Sequence, residues 1–206
     1  MRLKTESRRL ALVEAAKLVF LERGFTAASM SEIAQRVGGS KQTLYNYFQN
    51  KEELFVAVML ERGAVQLAPL FVSLRDERDL AAALERLGLT FLRFITHPES
   101  LAFRRIIQAE GARSRLGHLY FEAGPKRAWS RVAHLFSTVM DQGRMRRADP
   151  WTAAMHFQGL CEAGSFQRLL EGSIERLDEA DLEAAVRDAV EVFTRGYEVS
   201  PVQAQA

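Results

Sequence analysis

Residues 41–51, Lys-Gln-Thr-Leu-Tyr-Asn-Tyr-Phe-Gln-Asn-Lys, gather cations and hydrogen-bond donors with no acid among them. Leu44 and Phe48 are four apart and share one helical face. Lys41, Gln42, Thr43, Tyr45, Asn46 and Tyr47 occupy the rest, and Lys51 follows just beyond. Such a surface suits the phosphates and base edges of a DNA major groove. Lysine can bond guanine acceptors, and glutamine or asparagine can pair with adenine, so Lys41, Gln42 and Asn46 are the expected base readers. Ser29 and Ser31, at the start of the preceding element, can offer hydroxyl and amide donors to a phosphate.

Other chemistries find little to work with. No GxSxG, HExxH, Walker A or GxGxxG pattern occurs, so the chain is not expected to be an enzyme. Cys161 is the single cysteine, which excludes an intrachain disulfide and a CxxC metal site. His118, His134, His156 and Cys161 match no metal-ligand spacing, and no metal or cofactor is expected. Net charge is only +2, but residues 1–55 hold nine Lys/Arg against six Asp/Glu, so the basic excess sits with the polar surface. No signal-like or membrane-length apolar run is present, which points to a cytoplasmic protein without a membrane partner.

The elements that must position this surface read as helices throughout. Helix 1 is expected from about Thr5 to Arg23, ended by Gly24. Ser29 with Glu32 fits a capping box for a second helix, whose apolar face is Ile33, Ala34 and Val37. Gly38 and Gly39 stop it, and Ser40 caps the third. Asn50 with Glu53 fits a cap for helix 4, which runs to Ala68-Pro69. Helices follow over 79–96, 99–112, 115–123, 125–143, 150–171 and 178–196, with a frayed tail at 201–206. An N-terminal basic cluster of Arg2, Lys4, Arg8 and Arg9 is either a solvated helix end or a DNA contact.

From Arg9 to Phe55 the chain resembles the DNA-binding domain of the TetR/AcrR family of transcriptional regulators. The matching residues are Ala15-Ala16, Phe20, Gly24-Phe25, Ile33-Ala34, Gly38, Ser40, Thr43-Leu44-Tyr45, Tyr47-Phe48 and Lys51-Glu52. Gly39 departs from the apolar residue usual at the turn, and Gln42 from the small residue usual before Thr-Leu-Tyr. Residues 104–172 resemble the AefR-like C-terminal domain, through Tyr120-Phe121-Glu122-Ala123-Gly124-Pro125, Asp149-Pro150 and Phe157-Gln158-Gly159-Leu160.

The resemblance implies an all-α fold in which an N-terminal three-helix helix–turn–helix domain (1–52) is joined by helix 4 to a helical ligand-binding and dimerisation bundle (53–200). It places Thr43, Tyr45 and Tyr47 at the phosphate surface and gives Lys51 a backbone contact. It also implies a two-fold four-helix interface from the last two helices. There, Gly159, Ala163 and Phe166, with Leu182, Val186, Ala189 and Phe193, form either that interface or an intrachain core. Phe91, Phe94, Phe103, Phe121, Trp129, Phe136, Met140 and Phe157 are an effector pocket or simply core.

The expected function is a homodimeric repressor that binds a palindromic operator in double-stranded DNA and is released by a small apolar effector. The alternatives are a helical interaction protein, or a small-molecule enzyme with a non-functional helix–turn–helix. Either would leave the Lys41–Lys51 surface without a role.

Overall fold

The structure is a computed structural model that describes residues 2–73 and 79–199. Every regular element among them is an α-helix: α1 (Arg2–Ala27), α2 (Met30–Arg36), α3 (Lys41–Tyr45), α4 (Lys51–Ser73), α5 (Leu80–Thr96), α6 (Pro98–Gly111), α7 (Leu116–Ala123), α8 (Pro125–Asp141), α9 (Pro150–Glu162), α10 (Ser165–Glu171) and α11 (Glu179–Tyr197). The expected tail at 201–206 lies outside the described residues.

Three boundaries differ from the sequence reading. Gly24 breaks α1 (φ 73°, ψ 177°) without ending it, since only glycine tolerates that backbone and the chain resumes helical turns to Ala27. Pro69 does not stop α4, which continues to Ser73; proline removes one amide donor without forbidding the turns beside it. The single helix expected over 150–171 is two, because Gly164 takes a positive φ of 79° between α9 and α10.

Packing divides the chain into two units: Met1–Ala64 with Pro98–Gly124, and Val65–His97 with Pro125–Ala206. This line differs from a division at 52, because α6 and α7 pack with the first helices. The core of the first unit centres on Phe55. Its ring meets Phe20, Phe25 and Phe103 edge-on, with centroids 5.1, 5.4 and 5.4 Å away. Arg9 ties α1 to α4 through Glu61 at 2.7 Å, and Thr26 donates to Glu110 on α6 at 2.6 Å.

In the second unit α11 packs against α5 and α9, and α8 packs against α9. Phe136, Phe157 and Phe193 form one aromatic cluster, and Phe91 with Trp129 a second pair. Gly88 lets α5 approach α11 closely: a Cβ there would stand 2.8 Å from Val186 Cγ1. Arg146 secures the end of α11 by donating to the carbonyls of Gly196 and Tyr197 at 2.6 and 3.0 Å, and its guanidinium lies over the Tyr197 ring.

Candidate nucleic-acid interface

The α2–turn–α3 segment is built by local caps. Ser29 Oγ accepts from the amide of Glu32 at 3.1 Å, and the Glu32 carboxylate lies 3.4 Å from Arg23, so the serine half of the expected capping box is present. Gly38 closes α2 with φ 65°, where a Cβ would be strained. The amides of Gly38 and Gly39 bond back to Gln35 and Ala34, each at 2.9 Å. Ser40 Oγ then accepts from the amide of Thr43 at 3.1 Å and lies 2.9 Å from the Thr43 hydroxyl.

Leu44 (0% exposed) and Phe48 (4%) anchor α3 in the core, which fixes what faces outward. Lys41, Gln42, Tyr45 and Asn46 are exposed together, and Ser29 and Ser31 are exposed at α2. Thr43 and Tyr47 are half-buried; Tyr47 packs at the core edge beside Phe48. Gln42 Nε2 reaches Asn46 Oδ1 at 3.4 Å, and Lys41 Nζ lies 5.7 Å from the centre of the Tyr45 ring. The outer face is therefore a contiguous set of donors and one aromatic edge.

Lys51 is placed otherwise than the sequence reading expects. Its ammonium donates to the carbonyls of Phe25, Thr26 and Ala28 at 2.7, 3.2 and 3.0 Å, and sits 4.5 Å from the centre of the Phe25 ring. An ammonium has three N–H donors, and all three are engaged by carbonyls at and just past the end of α1. Lys51 thus caps α1 and ties it to the start of α4. That start carries its own cap: Asn50 Oδ1 accepts from the Glu53 amide at 2.8 Å, and Glu53 accepts from the Gln49 amide at 2.7 Å.

Carboxylates take up most other cations of this segment. Arg9 pairs with Glu6 and Glu61, Lys17 with Glu14, Arg23 with Glu32, and Arg36 bidentately with Glu22. The Arg36 pair raises the guanidinium pKa and lowers that of Glu22, in each case chiefly through their hydrogen bonds. The N-terminal basic cluster was only a composition signal in the sequence; here Arg8 lies beside Gly39, which a count of charges does not reveal.

The eight expected pocket residues fall in both units. Phe103 belongs to the core of the first unit and Phe121 is exposed there. Phe91, Trp129, Phe136, Met140 and Phe157 are buried in the second unit, and Phe94 is half-buried. An open cavity of about 460 Å³ in the second unit is lined by none of the eight; Met145, Phe193 and Tyr197 contribute its apolar wall, and Arg144, Arg195 and Glu198 its charges.

The expected interface residues also split. Leu182, Val186, Ala189 and Phe193 are buried within the chain, where α11 meets α5 and α9, and Phe166 is buried on α10. Gly159 and Ala163 remain exposed. The apolar face of α11 is core because a single chain already supplies its partners.

A model for bacterial regulatory proteins of the tetR family matches residues 12–58, and one for the C-terminal domain of AefR-like transcriptional repressors matches residues 82–199. The HTH-type transcriptional activator FasR of Mycolicibacterium smegmatis is 37% identical over 107 residues, 52% of this chain. The chain spans about half the length of that curated relative, 48%. A TetR-family regulator from Mesorhizobium loti superposes with a TM-score of 0.82 at 28% identity, over 94% of this chain and 98% of the other. The flavonoid-responsive regulator FrrA gives 0.73 at 28% identity over the same shares. The chain belongs to the TetR family of bacterial regulatory proteins, with a C-terminal half of the AefR-like kind.

Proposed function

We propose that the protein is a homodimeric, ligand-responsive repressor of transcription. In this reading residues 1–52 bind a palindromic operator, and residues 53–200 dimerise and take up a small apolar effector. The observation that carries it is the outward set on α3. Lys41, Gln42, Tyr45 and Asn46 stand exposed on a segment that Leu44 and Phe48 lock into the core. Base readers need rigid placement, and this backbone is capped at both α2 and α3.

Lys41 is assigned to guanine, and Gln42 and Asn46 to adenine. Tyr45, Thr43, Tyr47, Ser29 and Ser31 are assigned to the backbone. Lys51 is left out of the contact set, because its donors are already engaged. Dimerisation follows from the short reach of one head: two half-sites about 34–36 Å apart give the specificity that one lacks. The flavonoid-responsive neighbour supports a small-molecule effector. Such an effector must prefer the spacing of heads that cannot bind DNA, or it would release nothing.

Selection of random duplex DNA by the purified protein tests this, with Tyr45→Ala as control. Enrichment of a palindrome that the control does not retain is expected. No enrichment at low salt would overturn the reading.

A further inference from the structure

Gly39 sits in the turn before α3, and what fills the place of its missing side chain is an arginine. A Cβ built at Gly39 would stand 2.7 Å from Arg8 Nη2 and 3.9 Å from its Cζ. The guanidinium of α1 therefore lies against the backbone of the turn, within one residue of the Ser40 cap. Gly39 does not take a positive φ, so its backbone does not require glycine. The glycine matters for the space it leaves.

Arg8 is half-buried, and among the described residues it has neither a carboxylate nor a carbonyl partner. Its neighbours differ. Arg9, one residue on, is paired twice, and Lys17, Arg23 and Arg36 are each paired with a glutamate. Lys51 is engaged by three carbonyls. Among the described side chains of 6–55, the cations without an oxygen acceptor are Arg8 and Lys41, and both flank the same turn. A guanidinium held partly out of water without an acceptor is unfavourable. Its fork of donors matches a phosphate bidentately.

We propose that Arg8, seated in the space left by Gly39, is a phosphate-binding residue of the DNA interface, and that Gly39 is the positioning residue that makes the seat. This rests on the DNA-binding reading above. A bulkier residue at 39 would push the guanidinium off the turn while leaving its charge on the protein. The contact carries no base information, so it acts alike on every duplex.

The test uses the full chain and two duplexes, the palindrome recovered by selection and a scrambled one, in a binding titration over a salt series. Arg8→Gln should weaken binding to both duplexes by the same factor. It should also flatten the slope of log affinity against log salt by about 0.9 per bound subunit, one phosphate contact each. Gly39→Ala, which keeps the charge, should flatten the slope in the same sense, and the double variant should be no worse than Arg8→Gln alone. Thermal melts of each variant confirm that the head is folded, and Arg8→Lys should retain most of the slope. An Arg8→Gln slope equal to wild type would overturn this proposal while leaving the DNA reading intact. A wild-type protein that binds neither duplex would overturn both.

Discussion

The ammonium of Lys51 lies 2.7 Å from the carbonyl oxygen of Phe25 and 4.5 Å from the centre of its ring. With Thr26 and Ala28 it completes a three-carbonyl cap on the residues that follow the Gly24 break. Those carbonyls belong to a helix end, where no intrahelical amide reaches them. One side chain from the first position of α4 therefore holds the end of α1 in place.

Lys51→Met should lower the free energy of unfolding by about 1.5–3 kcal/mol, the range for hydrogen bonds to a charged group. Urea denaturation without DNA reads this directly. A change confined to DNA affinity, with unfolding unaltered, would instead mean that the carbonyl cap contributes nothing. Lys51→Arg should restore stability only in part, because a planar fork does not fit three converging carbonyls as an ammonium does.

Local signals of this region were legible in the sequence and long-range ones were not. Ser29, Ser40 and Asn50 each cap a helix through an amide three residues on, and that spacing can be read from the chain. Lys51 meets carbonyls 23 to 26 positions earlier, which no local pattern encodes. Phe103 looked like any other apolar residue after Phe55. Its place against Phe55 depends on α6 folding back onto the first unit. The stripe Leu182, Val186, Ala189 and Phe193 was readable as one helical face, but periodicity cannot say whether the neighbour is another segment or another chain.

Gly88 marks a close crossing of α5 over α11. A Cβ there would meet Val186 Cγ1 at 2.8 Å and Cγ2 at 3.1 Å. Gly88→Ala should destabilise the protein by about 1–3 kcal/mol, as overpacking does, despite the better helix propensity of alanine. Val186→Ala alone should also destabilise, by leaving a gap. The double variant should be more stable than the sum of the two, because the new methyl enters the vacated space. Chemical denaturation of the four proteins measures the coupling, and strict additivity would mean that the crossing tolerates the methyl.

Cys161 is 1% exposed and lies 3.4 Å from the position of a Cβ at Gly88. Burial, helped by the nearby Glu162 carboxylate, raises its thiol pKa from 9.0 to about 12. The native protein therefore keeps the thiol protonated at pH 8, and the thiolate is the reactive form. A disulfide exchange reagent should label the folded protein only at its unfolding rate, and label denatured protein at once. The sign for stability follows from the raised native value. The native state holds this proton more tightly than the unfolded chain, so the contribution is complete below the ordinary thiol pKa. It is lost as pH climbs from there towards about 12. Rapid labelling of folded protein at pH 8 would contradict the burial.

The inward face of α11 restricts how two chains can meet. Leu182, Val186, Ala189 and Phe193 already pack inside the chain, so truncating them should lower the stability of the chain rather than separate subunits. The outward side carries Val192, 56% exposed, with the exposed Asp188 and Arg195 one turn to either side. Gly159 on α9 and Ala163 just past its end are exposed small residues that leave room for a close neighbour. If the proposed dimer forms through α9 and α11, Val192→Asp places a charge in its seam and should halve the mass seen by light scattering, with the thermal melt of the isolated chain little changed. Val186→Ala should do the reverse, lowering the melt by the cost of a core truncation while the mass at low temperature stays that of a dimer. A dimer that survives both Val192→Asp and Gly159→Arg would move the interface to another face of the chain, since no interface through these helices could accommodate both substitutions.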